Sequence, residues 1–180
     1  MTKAHHREKN PQKVRRLLIE NALKLASEKG LALVSIQQVC RASGVTKGAF
    51  FHHFTNKQSL LDAVFAEMID ELDREIDAYI EDDPVPHGQF TRAYLQSVKA
   101  SVKDSPSAAI WISAITDASL QSVWNNWLNQ RLVRHRQTDD GEVLHAVRMA
   151  ADGIWFAVFT GSDANQFSTL YTQLFKMTQQ

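Results

Sequence analysis

The chain has 180 residues, 44% of them hydrophobic, enough to bury a sizeable core, and its single cysteine, Cys40, allows no intrachain disulfide and points to an intracellular setting. The longest apolar run, residues 154–159, is far too short to cross a bilayer, and the polar, basic start MTKAHHREKNPQK has no apolar secretion segment, so a soluble cytoplasmic protein with no membrane partner is expected. The formal net charge is zero, yet residues 1–60 carry a net +8 and residues 61–180 a net −8, which suits a small domain that meets phosphates joined to a body that phosphates repel.

The predicted elements are helices throughout. Val14, Leu18, Ala22 and Leu25 recur every three or four residues and so share one face of a first helix. Asn10 and Pro11 supply its cap and first position, and Gly30 closes it. A second, short helix starts at Ser35, turns Ile36, Val39 and Cys40 inward and stops at Ser43 and Gly44. A third runs from Thr46 to Phe54. The fourth begins near Asn56 and lines up Leu61, Phe65, Met68, Leu72, Ile76 and Tyr79 until Asp82, Asp83 and Pro84 end it. At about 25 residues it is about 37 Å long. Amphipathic stretches follow over residues 89–103, 107–115, 120–136, 142–159 and 163–177. No segment alternates with period two for long, so the predicted fold class is all-α with about nine helices, without internal repeats.

Function concentrates in residues 35–57, S-I-Q-Q-V-C-R-A-S-G-V-T-K-G-A-F-F-H-H-F-T-N-K. Two helices that cross closely need a small residue at the contact, a glycine at the corner and apolar residues on either side. Cys40, Gly44 and the set Val39, Val45 and Phe50 meet that need, which leaves Thr46, Lys47, Gly48, Ala49, Phe51 and His53 facing outward. The second helix of such a pair is the one that enters a major groove. Lys47 can reach a guanine edge or a phosphate, Thr46 can donate to a phosphate, and Gly48 permits close approach. Phe51 suits a thymine methyl or a sugar, His53 and Lys57 lie where phosphates pass, and Ser35 and Gln37 complete the candidate DNA-binding set.

The string G-V-T-K-G-A-F-F-H-H-F-x-N-K-x-x-L-L resembles the signature of TetR-family transcriptional regulators. Two departures stand out: Phe51 where the family often has tyrosine, and Cys40 where alanine is common. The resemblance implies a three-helix, helix-turn-helix DNA-binding domain over residues 1–55, with a basic tail at about 1–9, and a helical ligand-binding and dimerisation domain over 56–180. It implies a repressor that binds double-stranded operator DNA as a homodimer and is released by a small lipophilic effector, with no cofactor, metal site or catalytic residue. The last two helices are the implied pairing surface, with Val147, Ala151, Ile154 and Val158 on one and Phe167, Leu170 and Leu174 on the other. Effector contacts are expected from Phe90, Tyr94, Trp111, Trp124 and Leu128, with Ser113, Thr116, Asn125 or Arg131 as polar anchors, which suits a flat or lipophilic ligand of low charge.

Plainer readings apply to several conspicuous residues. His52 and His53 point about 100° apart on a helix and cannot share a metal ion, and His5 and His6 belong to the basic tail. Cys40 reads as a packed thiol rather than a redox sensor. The acidic series Asp70, Glu71, Asp73, Glu75, Asp77 and Glu81 reads as a solvated face of the fourth helix, and Arg131, Arg134 and Arg136 as partners of a helix dipole. The tryptophans Trp111, Trp124, Trp127 and Trp155 either pack the core or line a pocket. An all-helical enzyme is the weaker alternative, since no Ser/His/Asp set, H-E-x-x-H or C-x-x-C occurs. A DNA-bound regulator that answers to a protein partner instead of a small molecule stays open at this stage.

Overall fold

The computed structural model describes residues 10–102 and 108–179; the expected basic tail, His5 and His6 included, lies outside them, as do the end of the fifth predicted helix and the start of the sixth. The described residues form ten α-helices and two 3-10 turns, with no strand. They are α1 (Pro11–Lys29), α2 (Ile36–Ser43), α3 (Lys47–Phe51), α4 (Lys57–Glu81), α5 (Gln89–Ser101), α6 (Ala108–Thr116), α7 (Ala118–Arg134), α8 (Arg136–Asp139), α9 (Glu142–Phe159) and α10 (Ser168–Met177). The fold is all-α, as expected.

Local chemistry sets most of these boundaries. The Asn10 side chain accepts from the Gln12 and Lys13 amides, Pro11 takes the first turn of α1, and Gly30 closes it at a φ of 82°. Asn56 and Ser59 form a reciprocal cap on α4. α3 is shorter than the expected 46–54: the amides of His53 and Phe54 both turn back to the Phe50 carbonyl, at 2.9 and 3.0 Å, and this tight turn tucks Phe54 into the core. The stretch expected over 120–136 divides at His135 into α7 and a single turn, α8. Only residues 168–177 of the last expected stretch are α-helical, following a 3-10 turn at Ala164–Phe167.

One continuous core joins the N-terminal helices to the body. Leu18 and Ala22 of α1, Val39 of α2, Phe50 of α3 and Leu60 and Val64 of α4 are fully buried, and the same cluster continues through Ile76, Phe90 and Leu95 to Val147 of α9. Each such aliphatic or aromatic side chain contributes about 1.5–3 kcal/mol of burial.

Two buried arginines brace this core. Arg131 of α7 donates through Nε to Asp73 Oδ1 at 2.6 Å, through Nη2 to the Asp73 carbonyl at 2.8 Å and through Nη1 to Asp77, while Trp127 Nε1 donates to the same Asp73 carboxylate. Burial alone would push the guanidinium pKa down; the bonds to Asp77 and Asp73 outweigh it and the net shift is upward. The acidic face of α4 is therefore only partly a solvated one, and Arg131 holds two carboxylates rather than a helix dipole. Arg92 of α5 donates to Asp83 at 2.6 Å, to the His87 carbonyl at 2.7 Å and to the Thr178 carbonyl at 3.0 Å, tying the α4–α5 connection to the chain's last described turn. Gly88 precedes α5 without a capping side chain. The buried Asp139 of α8 serves instead, accepting from the Thr91 amide at 2.7 Å and the Phe90 amide at 3.2 Å.

Candidate nucleic-acid interface and ligand cavity

α2 and α3 meet at a corner made by Gly44, which adopts φ 65° and ψ 29°, and its amide and that of Val45 return to the Arg41 and Cys40 carbonyls at 3.3 and 3.0 Å. Ser35 and Gln38 cap α2 reciprocally, and Thr46 Oγ1 accepts from the Ala49 amide at 3.1 Å to start α3. Val39, Cys40 and Phe50 are buried at the crossing. Burial pushes the Cys40 thiol pKa up, against the opposing pull of the Lys47 charge, which suits a packed thiol.

Of the sequence-derived DNA set, Ser35, Gln37, Thr46, Lys47, Gly48 and Phe51 are exposed, whereas Ala49, His53 and Lys57 are half-buried. A Cβ built on Gly48 meets nothing closer than Thr46 Oγ1 at 3.8 Å, so nothing within the chain demands a glycine there. Phe51, at 53% exposure, is a large apolar side chain left in water beside it. Lys57 Nζ donates to the Ala32 carbonyl at 2.8 Å, a stitch between the turn before α2 and the start of α4. An ammonium has three protons, so two remain for another acceptor.

Between these helices and the body lies a cavity of about 740 Å³. Leu23 and Ser27 of α1 form one wall, and α4, α5, α6, α7 and α9 supply the rest. Trp111 is its hub: its ring lies 5.2 Å from Phe65, 5.6 Å from Trp124 and 6.4 Å from Trp155, edge-to-face in each case. The Tyr94 hydroxyl donates to Asp152, and that of Tyr79 to Glu75 Oε1 at 3.1 Å.

A family profile described as the tetracyclin repressor-like C-terminal domain matches residues 88–179, and one described as bacterial regulatory proteins of the tetR family matches residues 18–64. The chain belongs to the TetR family. It is similar to the transposon Tn10 TetC protein of Escherichia coli, 39% identical over 80 residues that make up 44% of this chain and 39% of that protein. The chain thus spans well under two thirds of the length of this relative. Its fold is shared with the protein SCO7518 of Streptomyces coelicolor A3(2), at a TM-score of 0.75 and 17% identity over 93% of this chain and 99% of that one. It is shared also with the multidrug binding protein EbrR, solved with malachite green, at a TM-score of 0.70 and 18% identity over 89% and 96% of the two chains.

Within this TetR-family chain the cavity lining takes in some of the residues expected to meet a ligand and leaves out others. Tyr94, Trp111, Trp124 and Asn125 line it, and so does Trp155. Phe90 does not: it is fully buried, with its ring stacked on His135 at 5.1 Å. Leu128, Ser113, Thr116 and Arg131 also lie off the lining, Arg131 because Asp73 and Asp77 already hold it. Glu71 and Glu75, expected on a solvated face, line the cavity, and so does Asp152, for which sequence reasoning held no expectation. Asp152 did carry a signal, as the lone carboxylate in the apolar run A-A-D-G-I-W-F.

Several residues of the expected pairing surface face inward. Val147, Ala151, Ile154 and Leu174 are 0 to 5% exposed within a single chain, so they pack its own core and are not available to a partner. Val158 and Phe167 are half-buried, and Leu170 is exposed. The exposed positions of α9 include Val143, Ala146, Met149, Gly153 and Phe156, flanked by half-buried Ala150 and Ala157.

Proposed function

We propose that the chain is a cytoplasmic, sequence-specific DNA-binding regulator, a homodimeric repressor that leaves its operator when a small lipophilic ligand fills the cavity. Residues 1–55 are the DNA-binding domain and 56–180 the ligand-binding and dimerisation domain. The observation that carries this reading is the wall contributed by Leu23 and Ser27: a cavity occupant touches α1, the helix against which α2 packs. EbrR, which shares the fold, was solved with malachite green, and an aromatic-lined cavity here supports a small-molecule effector over a purely protein-driven one.

α3 is the recognition helix, with Thr46, Lys47, Gly48, Ala49 and Phe51 toward the bases. Ser35, Gln37, His53 and Lys57 contribute to the phosphate-facing edge. Two-fold pairing through α9 and α10 sets two such helices about 34–36 Å apart, so the operator is a near-palindrome. A ligand that prefers the DNA-incompetent form about 100-fold removes about 2.7 kcal/mol from operator binding.

Selecting genomic fragments retained by the protein supplies the operator, and fluorescence anisotropy over a salt series then tests the recognition helix. Operator affinity should fall steeply with salt. Lys47→Ala should erode discrimination between operator and random DNA by about 1–3 kcal/mol. Unchanged discrimination in Lys47→Ala overturns the assignment of α3.

A further inference from the structure

We infer that the cavity selects a lipophilic cation, an aromatic body carrying a fixed positive charge. This rests on the reading of the cavity as an effector site and narrows that site to one charge class, in place of the low charge expected from its aromatic residues alone.

Three carboxylates line the cavity, Glu71 and Glu75 from α4 and Asp152 from α9, and among the described residues no Lys, Arg or His does. Glu71 is exposed, whereas Glu75 and Asp152 are half-buried. Elsewhere in the fold Asp139 is held by neutral donors, whereas Asp73 and Asp77 hold Arg131 and Asp83 holds Arg92. Glu75 and Asp152 are oriented instead by the hydroxyls of Tyr79 and Tyr94, which fix direction without neutralising charge. Arg148 is near enough to act on Asp152 through space, but its Nη1 donates to Thr91 Oγ1 at 2.7 Å and to the Asp139 carbonyl at 3.3 Å. Burial pushes the Asp152 pKa up, opposed by the Tyr94 hydrogen bond and the Arg148 charge.

The remaining walls suit the same ligand. Indole faces attract cations, most strongly where water is excluded, and three tryptophans, Trp111, Trp124 and Trp155, line the space in perpendicular contacts. An anion would meet three like charges, and a neutral ligand would strip water from the carboxylates without replacing it.

The test uses the full chain with tetraphenylphosphonium and tetraphenylborate, which carry the same four rings and opposite charges. Binding is followed by tryptophan quenching and confirmed by calorimetry. The phosphonium should bind at least tenfold more tightly than the borate. Asp152→Asn, which keeps an acceptor for Tyr94, and Glu75→Gln should each weaken phosphonium binding about tenfold and leave borate binding unchanged or stronger. Equal or tighter borate binding, a preference that survives both substitutions, or no phosphonium binding at all overturns the inference. If the borate binds best and displaces operator, the cation class falls while ligand control of DNA binding stands. If the phosphonium shows the expected preference and operator affinity does not move, the cation site stands and ligand control falls.

Discussion

Two glycines separate backbone strain from crowding. Gly44 and Gly88 share a left-handed backbone, φ 65° and 72°, but a Cβ on Gly44 has nothing within 4 Å whereas one on Gly88 would lie 2.7 Å from the Thr178 carbonyl oxygen. Gly44→Ala should therefore cost about 1–2 kcal/mol from the backbone alone, and Gly88→Ala about 1–3 kcal/mol more. Urea midpoints of the two variants check this, and equal losses would show that the contact at Gly88 relaxes freely. His135 carries a pH dependence. Burial lowers its pKa, the nearby Asp139 carboxylate opposes this, and its Nε2 has no hydrogen-bond partner. Below the ordinary value of about 6.5 the unfolded chain takes up a proton that the folded chain resists, so this residue's contribution to stability declines as pH falls through that value. His135→Gln should flatten that part of the curve between pH 7 and 5.5, measured as the difference from the parent; parallel curves would remove His135 from the account. At this scale the helix-turn-helix was legible in the sequence because it is local: Ser35, Gly44 and Thr46 act on neighbours within three or four residues. His135 was not, since the ring stacked on it comes from Phe90, 45 positions away on α5.

Helix ends show the same division between near and distant causes. α1, α2 and α4 begin where Asn10, Ser35 and Asn56 cap them, and those positions were readable from the sequence. The break at His135 and the turn of α8 were not, because α8 exists to place Asp139 at the start of α5, 48 and 49 positions away. Between α4 and α7 the decisive contact is also distant. Arg131 is 1% exposed, and Asp73 takes both its Nε and the Trp127 indole, whereas Asp77 takes only Nη1 and is half exposed. Arg131→Met should cost about 1.5–3 kcal/mol, the usual range for hydrogen bonds to charged groups. Asp73→Ala should cost more than Asp77→Ala. Chemical denaturation orders the three, and a cost for Asp77→Ala equal to that of Asp73→Ala would show that the clamp is not centred on Asp73.

For the molecule as a whole, the pairing surface was the least legible feature. α9 is apolar on both sides, so periodicity identifies a helix without saying which side its own core takes. The structure separates two neighbouring positions: Ile154 is 3% exposed, whereas Gly153 is exposed and a Cβ there has nothing within 4 Å. Gly153→Glu should yield folded monomers with weakened operator binding, and Ile154→Glu should lower thermal stability sharply before any change in assembly. Sedimentation velocity beside a melting curve distinguishes them, and a Gly153→Glu dimer as tight as the parent would move the interface off α9. The Arg131 clamp has a consequence of scale. At the usual rise, Asp73 stands about 24 Å along α4 from Lys57, and Lys57 is stitched to the turn before α2. On the proposed function α4 would act as a lever with the clamp as fulcrum: a tilt of about 5°, small for packed helices, swings its Lys57 end by about 2 Å. Two subunits tilting in opposite senses would change the span between their α3 helices by about 4 Å, a misfit across one turn of B-form DNA.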